Sequence, residues 1–229
     1  MKNLFEKLRQ RKLIGRIVHT LDYLLQRELI DCESVLDLGC GPSSPVQRCE
    51  KIKYSVGVEI FKPYLEESKR KKIHTEYISK KIEEINFSEN SFDAVILIEV
   101  MEHLPKEIGL KIIKRAEKWA RKKVIISTPN GYFPMGDVDS NQYQKHLSGW
   151  TIQEFSSLGF KSQGVSGLKF FYTDKGLVKS ILEDNNIWEN IRLRPKKLFY
   201  LVNGFMQIFS YYFPNIAFGL FTVKKIKKK

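Results

Sequence analysis

Cysteine is scarce in this chain of 229 residues: Cys32, Cys40 and Cys49 are the only three. Their number is odd and no pair has C-x-x-C spacing. That argues against a disulfide framework or a thiolate metal knot and for a reducing, cytoplasmic compartment. Long apolar runs are also missing. No stretch holds about 20 uninterrupted apolar residues, so no transmembrane helix is expected. The basic N-terminus lacks a continuous apolar core, so no signal peptide is expected. There is no internal repeat, and the C-terminal lysines are the only low-complexity tract. Acidic residues are outnumbered, with 26 Asp and Glu against 39 Lys and Arg, for a net charge of +13. Such a charge draws anionic partners such as nucleic acid, a membrane surface or a phosphorylated substrate; its plainer reading is a lysine-rich solvated surface. Denser basic runs fall at residues 69–72, 121–123 and 224–229.

What is present suits one globular domain with a substantial core: 42% of residues are hydrophobic and 28% charged. Residues 2–30 read as helical, with Gly15 as a break and Ile14, Ile17, Val18, Leu21, Leu24 and Leu25 on one face. Val35-Leu36-Asp37-Leu38 reads as a buried strand running into Gly39-Cys40-Gly41. Residues 43–53 are expected to form the first crossover helix, with its amides facing a ligand. Strands follow at 55–59, 75–79, 92–98 and 124–127. Charged or amphipathic helices lie between them at 62–71 and after Pro105, where Ile108, Ile112, Ala116 and Trp119 share a face. Strands alternating with helices argue for a parallel sheet covered on both sides. Thr151 and Glu154 have the spacing of a capping box. Beyond a strand from residue 160, residues 174–213 read as a helical insertion and 217–223 as a final strand. In the second inserted helix Leu198, Leu201, Val202, Phe205 and Phe209 share one face, and Lys196, Tyr200, Asn203, Gln207 and Ser210 the other. The expectation is that this helix packs on the sheet edge and roofs the substrate site.

The glycine turn is the chemical centre. Glycines let the backbone bend and let a ligand come close. Glu59 closes the next strand about 20 residues on, where an acidic residue meets a ribose in nucleotide-binding β-α-β units. Ser44 stands where dinucleotide dehydrogenases carry a third glycine or alanine, so that fingerprint is incomplete. The stretch resembles instead the D-x-G-x-G motif of class I S-adenosylmethionine (SAM) dependent methyltransferases. The resemblance extends over roughly residues 31–165. It rests further on Glu59, on Phe92-Asp93-Ala94-Val95 followed by Glu102-His103-Leu104, and on Thr128-Pro129-Asn130, and it looks closest to small-molecule and glycan O-methyltransferases.

That resemblance implies an α/β Rossmann-like sheet, mostly parallel with an antiparallel last strand beside the fifth, and helices on both faces. It divides the chain into an N-terminal helical segment (1–30), a SAM-binding core (31–171), a helical lid (172–215) and a last strand with a basic tail (216–229). It implies SAM as cofactor. Asp37, Gly39, Cys40 and Gly41 would form the turn beside the methionyl part, with Asp37 supporting it. Glu59 would accept the ribose hydroxyls and Ile60 would pack on adenine. Ile82 and Glu83 would lie at the adenine edge, though Lys81 stands where the family often has Asp. Glu99 would end the fourth strand near the reactive methyl.

Methyl transfer from a sulfonium mainly requires alignment and exclusion of water. A sugar or aliphatic hydroxyl also needs a base, for which His146 and His103 are the candidates. The loop 137–150, with Asn141, Tyr143 and Trp150, has the polar and aromatic mix that suits a hydroxylated, glycan-like or lipid-linked acceptor. It resembles an N-x-Y-x-x-H-x-x-x-W arrangement of methyltransferases associated with surface-polysaccharide genes. Asp137, Asp139 and His146 are conceivable metal ligands, but no metal is expected. Nucleic acid is the weaker partner. The [DNS]-P-P-[YFW] motif of amino-methylating DNA enzymes is absent after the fourth strand, as are a cysteine nucleophile and a known RNA-binding module. A non-catalytic SAM-fold protein is the third reading. The aromatic segment with the lysines of 196–229 is a candidate for peripheral contact with the inner face of the membrane.

Overall fold

The computed structural model describes residues 12–135, 138–172, 192 and 196–227. Helices α1 (Lys12–Val18) and α2 (Leu21–Glu28) lead into β1 (Ser34–Leu38). Then come β2 (Tyr54–Val58), α3 (Lys62–Arg70), β3 (Glu76–Ile78), β4 (Phe92–Ile98), α4 (Lys106–Trp119) and β5 (Ala120–Pro129). The chain ends with α5 (Ile152–Ser157), β6 (Lys161–Leu168), α6 (Lys196–Tyr212) and β7 (Ala217–Lys225). The seven strands form one sheet in the order β3-β2-β1-β4-β5-β7-β6. β1 to β5 are mutually parallel, and β7 runs antiparallel between β5 and β6. The expected sheet, with its antiparallel last strand beside the fifth, is what forms.

β1 and β4 are continuous apolar runs because both faces of the sheet are covered. Alternate side chains go to opposite sides. Leu36, Leu38, Val95 and Leu97 meet Ile112, Ile113, Ala116 and Trp119 of α4. Val35, Ala94 and Ile96 meet Leu24 and Leu25 of α2. The Thr151–Glu154 capping box is present at α5. Strand order reverses around β1, whose neighbours are β2 and β4; open α/β sheets bind ligands at such a point, beyond the carboxyl ends of the strands.

Three local expectations need correction. Gly15 lies inside α1, and the helical break falls at His19, which has a φ of 52°. Residues 2–11 lie outside the described residues, as do 173–191 of the expected insertion. The 43–53 crossover is only a short 3₁₀ turn, Pro45–Arg48. Pro42 and Pro45 keep residues 41–44 out of the helix, since each disfavours the helical conformation in the residue before it, and Pro45 then stands at the first position of the 3₁₀ turn.

The third correction concerns α6, which packs on β6 through its polar face. The β6–β7 register shifts between Val165 and Leu168, where Ser166 and Gly167 have φ of 65° and 76°. A bulge strands backbone groups that the ladder no longer pairs. Gln207 accepts from the Gly167 amide (2.6 Å) and donates to the Gly164 carbonyl (3.0 Å). Asn203 accepts from the Leu168 amide (3.1 Å) and donates to the Ser166 carbonyl (3.0 Å). Asn203, Gln207 and Ser210 are therefore buried, while Leu201, Phe205 and Phe209 are 67%, 58% and 46% exposed.

Candidate functional site

The turn after β1 is held from both sides. Val58 at the end of β2 accepts hydrogen bonds from the amides of Gly39 (2.8 Å) and Cys40 (3.0 Å). Gly39 and Gly41 have φ of 70° and 57°, the left-handed region that favours glycine. A Cβ on Gly39 would stand 2.6 Å from Val100 Cγ2, whereas one on Gly41 would meet nothing within 4 Å. The open side of the turn is therefore at Gly41. Asp37 braces it from below: its buried carboxylate accepts from Ser44 Oγ (2.5 Å) and lies 3.4 Å from His74 Nε2. Ser44, the departure from the dehydrogenase pattern, thus serves as the strut of the turn and also caps the 3₁₀ segment. Cys40 is buried, and burial pushes its thiol well above the ordinary range.

Glu59 follows β2 and faces the turn. Its Oε2 accepts from the Gly41 amide (3.1 Å) and its Oε1 from the Phe61 amide (2.8 Å). Burial raises its carboxyl above the usual range against the pull of these amides. Each oxygen keeps a lone pair for a ligand hydroxyl. Ile60 is half-buried next to it. Ile82 lies in the same core as Val58 and Val100, whereas Glu83 is exposed and its carbonyl accepts from Arg115 (2.8 Å). Of the two residues expected at the adenine edge, Ile82 is thus mostly committed to the core.

On the other side of the turn β4 ends at Glu99, a non-glycine residue with φ of 55°. Its amide donates to the Ser127 carbonyl (2.9 Å), and its carboxylate accepts from Ser127 Oγ (2.5 Å). Such a backbone outlier is a place where a fold holds a side chain in a set direction. Next comes the 3₁₀ turn Met101–His103. The loop before α5 is tied down on this turn. The Leu147 and Ser148 amides donate to the Glu102 carbonyl (2.7 and 3.1 Å). Ser148 Oγ and Trp150 Nε1 both donate to the Met101 carbonyl at 3.1 Å.

These bonds bring His103 and His146 face to edge, with ring centroids 4.8 Å apart. His146 Nδ1 is 2.5 Å from the Phe133 carbonyl, and His103 Nδ1 is 3.3 Å from that of Lys145. A carbonyl only accepts, so Nδ1 carries the hydrogen in both rings and each Nε2 keeps a bare lone pair. Burial, reinforced by the neighbouring ring, brings His103 down to about 4; burial also lowers His146. Glu102 is 2% exposed, and its Oε2 has no hydrogen-bond partner among the described residues. Burial, and then the charge of Glu99, push Glu102 well above the carboxylate range. Loss of surrounding water also raises Glu99, but that residue is open to solvent as a whole, so the larger effect falls on Glu102.

The structure brings together both expected histidines and Glu99, and adds Glu102, to which no role was assigned. Its spacing from Glu99 and His103 was the signal available. The expected acceptor residues fare differently. Trp150 is fully buried, stacked on Phe155 with Lys106 Nζ 3.8 Å from its ring centroid, and cannot touch an acceptor. Asn141 is 1% exposed and caps the 3₁₀ turn Gln142–Gln144 through the Tyr143 amide. Both are scaffold; Tyr143 stays accessible. Asp139 accepts from the Tyr64 hydroxyl (2.7 Å), and Asp137 lies outside the described residues. His146 therefore keeps company with Glu102 and His103.

Comparison with known proteins agrees with this geometry. Residues 36–126, from β1 to most of β5, match the family model described as a methyltransferase domain. None of the curated proteins matches the chain. Among solved structures, one from Archaeoglobus fulgidus described as a SAM-dependent methyltransferase has 15% identity and a TM-score of 0.52, covering 93% of this chain and 98% of that one. A Listeria monocytogenes protein described in the same terms has 14% identity and a TM-score of 0.51, covering 90% and 98%. A chain from the complex of the Haloferax volcanii Trm112 methyltransferase activator with its methyltransferase has 12% identity and a TM-score of 0.53, covering 96% and 94%. At these identities the likeness concerns the fold.

The sheet order, the glycine turn and the acidic residue after β2 define a Rossmann-like nucleotide-binding domain of the methyltransferase type. Residues 36–126 match a methyltransferase domain, and the chain as a whole has the fold of SAM-dependent methyltransferases, whose cofactor is SAM. The residues present fit that group: Gly41 leaves open space, and the Glu59 carboxylate lies beside it with acceptor capacity for two hydroxyls.

Proposed function

We propose that this enzyme transfers the SAM methyl to a hydroxyl of a small or glycan-like acceptor. The observation that carries this reading is the set of two uncharged imidazoles with bare Nε2 atoms and one buried carboxylate beside Glu99. Such a set withdraws a proton from an acceptor hydroxyl, or holds the group that does; a nitrogen acceptor needs neither. Glu59 and the glycine turn bind and orient the adenosyl part. The test measures release of demethylated cofactor with a panel of polyhydroxylated acceptors, amines and RNA. Transfer to oxygen, slowed by His146→Ala or His103→Ala with SAM affinity intact, is expected. Transfer confined to amines or RNA, or full-rate histidine variants, contradicts the reading.

We also propose that the outward face of α6 meets an anionic lipid surface. Leu201, Phe205, Phe209, Tyr212 and Phe213 lie exposed along it, the helix has no acidic residue, and the chain carries a net +13. Apolar burial and basic attraction together are what peripheral docking uses. Among the described residues, no helix is long and apolar enough to cross a membrane.

A further inference from the structure

The cluster beside Glu99 has the features of a cation site. Glu102, His103 and His146 each offer one ligand atom, and these atoms lie within 4.8 Å of one another. Both histidines donate Nδ1–H to a main-chain carbonyl, those of Lys145 and Phe133, which leaves Nε2 as the free ring atom. That is how metal-bound imidazoles are ordinarily oriented by their outer partners. Glu102 Oε2 is buried next to Thr128 Oγ1 and the Glu99 carboxylate, and among the described residues no well-formed hydrogen bond reaches it. A buried carboxylate oxygen in that state is costly, and a bound cation removes the cost. The ligands come from two segments, but the bonds from Leu147, Ser148 and Trp150 to the Met101 and Glu102 carbonyls clamp those segments together. The cluster is built before any ion arrives.

We infer that Glu102, His103 and His146 hold one divalent cation at the acceptor side of the methyltransferase site. Two imidazoles and a carboxylate suit a borderline ion such as Zn²⁺, Mn²⁺ or Co²⁺ better than a hard alkaline-earth ion. Three protein ligands leave coordination positions open, which favours an acceptor with two adjacent hydroxyls. This inference rests on the O-methylation reading for its chemistry but not for its binding. An acceptor hydroxyl held by the ion loses its proton to water. Its oxygen then bonds to the methyl carbon as the carbon–sulfur bond breaks. The bonding pair stays on sulfur, so the sulfonium leaves as a neutral thioether.

The test is titration of Co²⁺ into the full chain after EDTA treatment and dialysis, without SAM. One equivalent is expected to bind, with a visible absorption band and a higher melting temperature. Glu102→Gln and His103→Asn are each expected to weaken binding by about tenfold or more while SAM affinity stays unchanged. His103 is half-buried, so its variant keeps the test decisive should the Glu102 variant fail to fold. No saturable binding, or Co²⁺ affinity unchanged in His103→Asn, overturns the site. Turnover is expected to fall at least about tenfold in metal-free enzyme and to return with Co²⁺ or Mn²⁺; full turnover in EDTA overturns the ion's role. Stoichiometric Co²⁺ binding without transfer to any hydroxylated acceptor supports the ion site and counts against the O-methylation reading alone.

Discussion

Asp93 and Glu59 are both buried carboxylates near strand ends, yet their surroundings drive them in opposite directions. Burial works against the Asp93 charge, but the Glu33 amide (2.8 Å), Arg121 (3.1 Å) and Lys122 (3.5 Å) outweigh it and hold its carboxyl below the ordinary range. Its stabilising effect is therefore complete above the unfolded-state pKa, about 4, and is lost as pH falls through the lower folded value. Urea unfolding at a series of pH values is expected to show Asp93→Asn less stable than the parent at pH 6, with the gap closing below about pH 3. Glu59 faces a glycine turn instead of cations, and its spare lone pairs are what a ribose needs. Its place was legible because it depends on one strand and one spacing. The roles of Trp150 and Asn141 were not. Both side chains are spent on main-chain groups of distant or irregular segments, which a linear pattern does not reveal. The meeting of His103 with His146 was hidden for the same reason: the clamp that joins them uses backbone carbonyls.

Among the elements, the turn and α6 give the sharpest expectations. At Gly41 an added methyl group meets open space, so Gly41→Ala is expected to cost only the left-handed strain, about 1–2 kcal/mol. Gly39→Ala adds a 2.6 Å clash with Val100 and is expected to cost more in the same denaturant series. In α6 the amphipathic pattern was legible but its orientation was not. Hydrophobic periodicity predicts an inward apolar face; the β6 bulge, invisible in the sequence, demands polar partners and rolls the helix over. Gln207→Ala should accordingly destabilise by about 1–3 kcal/mol for each backbone group it orphans, whereas Phe205→Ser should stay within about 0.5 kcal/mol. If the exposed face docks on lipid, Leu201→Glu and Phe205→Glu should stop the chain floating with anionic liposomes without altering its melting. Flotation equal to the parent would exclude α6 as the contact.

For the molecule as a whole, sheet class and strand order follow from buried runs alternating with helices, and the sequence pattern carried that much. Charge was the more misleading signal. Several of the basic residues are committed to contacts within the fold. Lys123 binds Asp31, Arg121 binds Asp93, Lys224 binds Glu117 and Arg48 binds Asp22, each at 3.1 Å or less. Two of the three dense basic runs thus help hold the sheet to its neighbours, which weakens the case for a nucleic-acid surface. The most direct test of the central claim, that the rim between β2 and β4 holds SAM, is calorimetric titration of SAM and its demethylated product. One site per chain is expected, and Glu59→Ala should weaken it by about 1.5–3 kcal/mol through loss of a charged acceptor, with the fold intact by circular dichroism. Absence of binding in the parent chain, or equal affinity in Glu59→Ala, would contradict it.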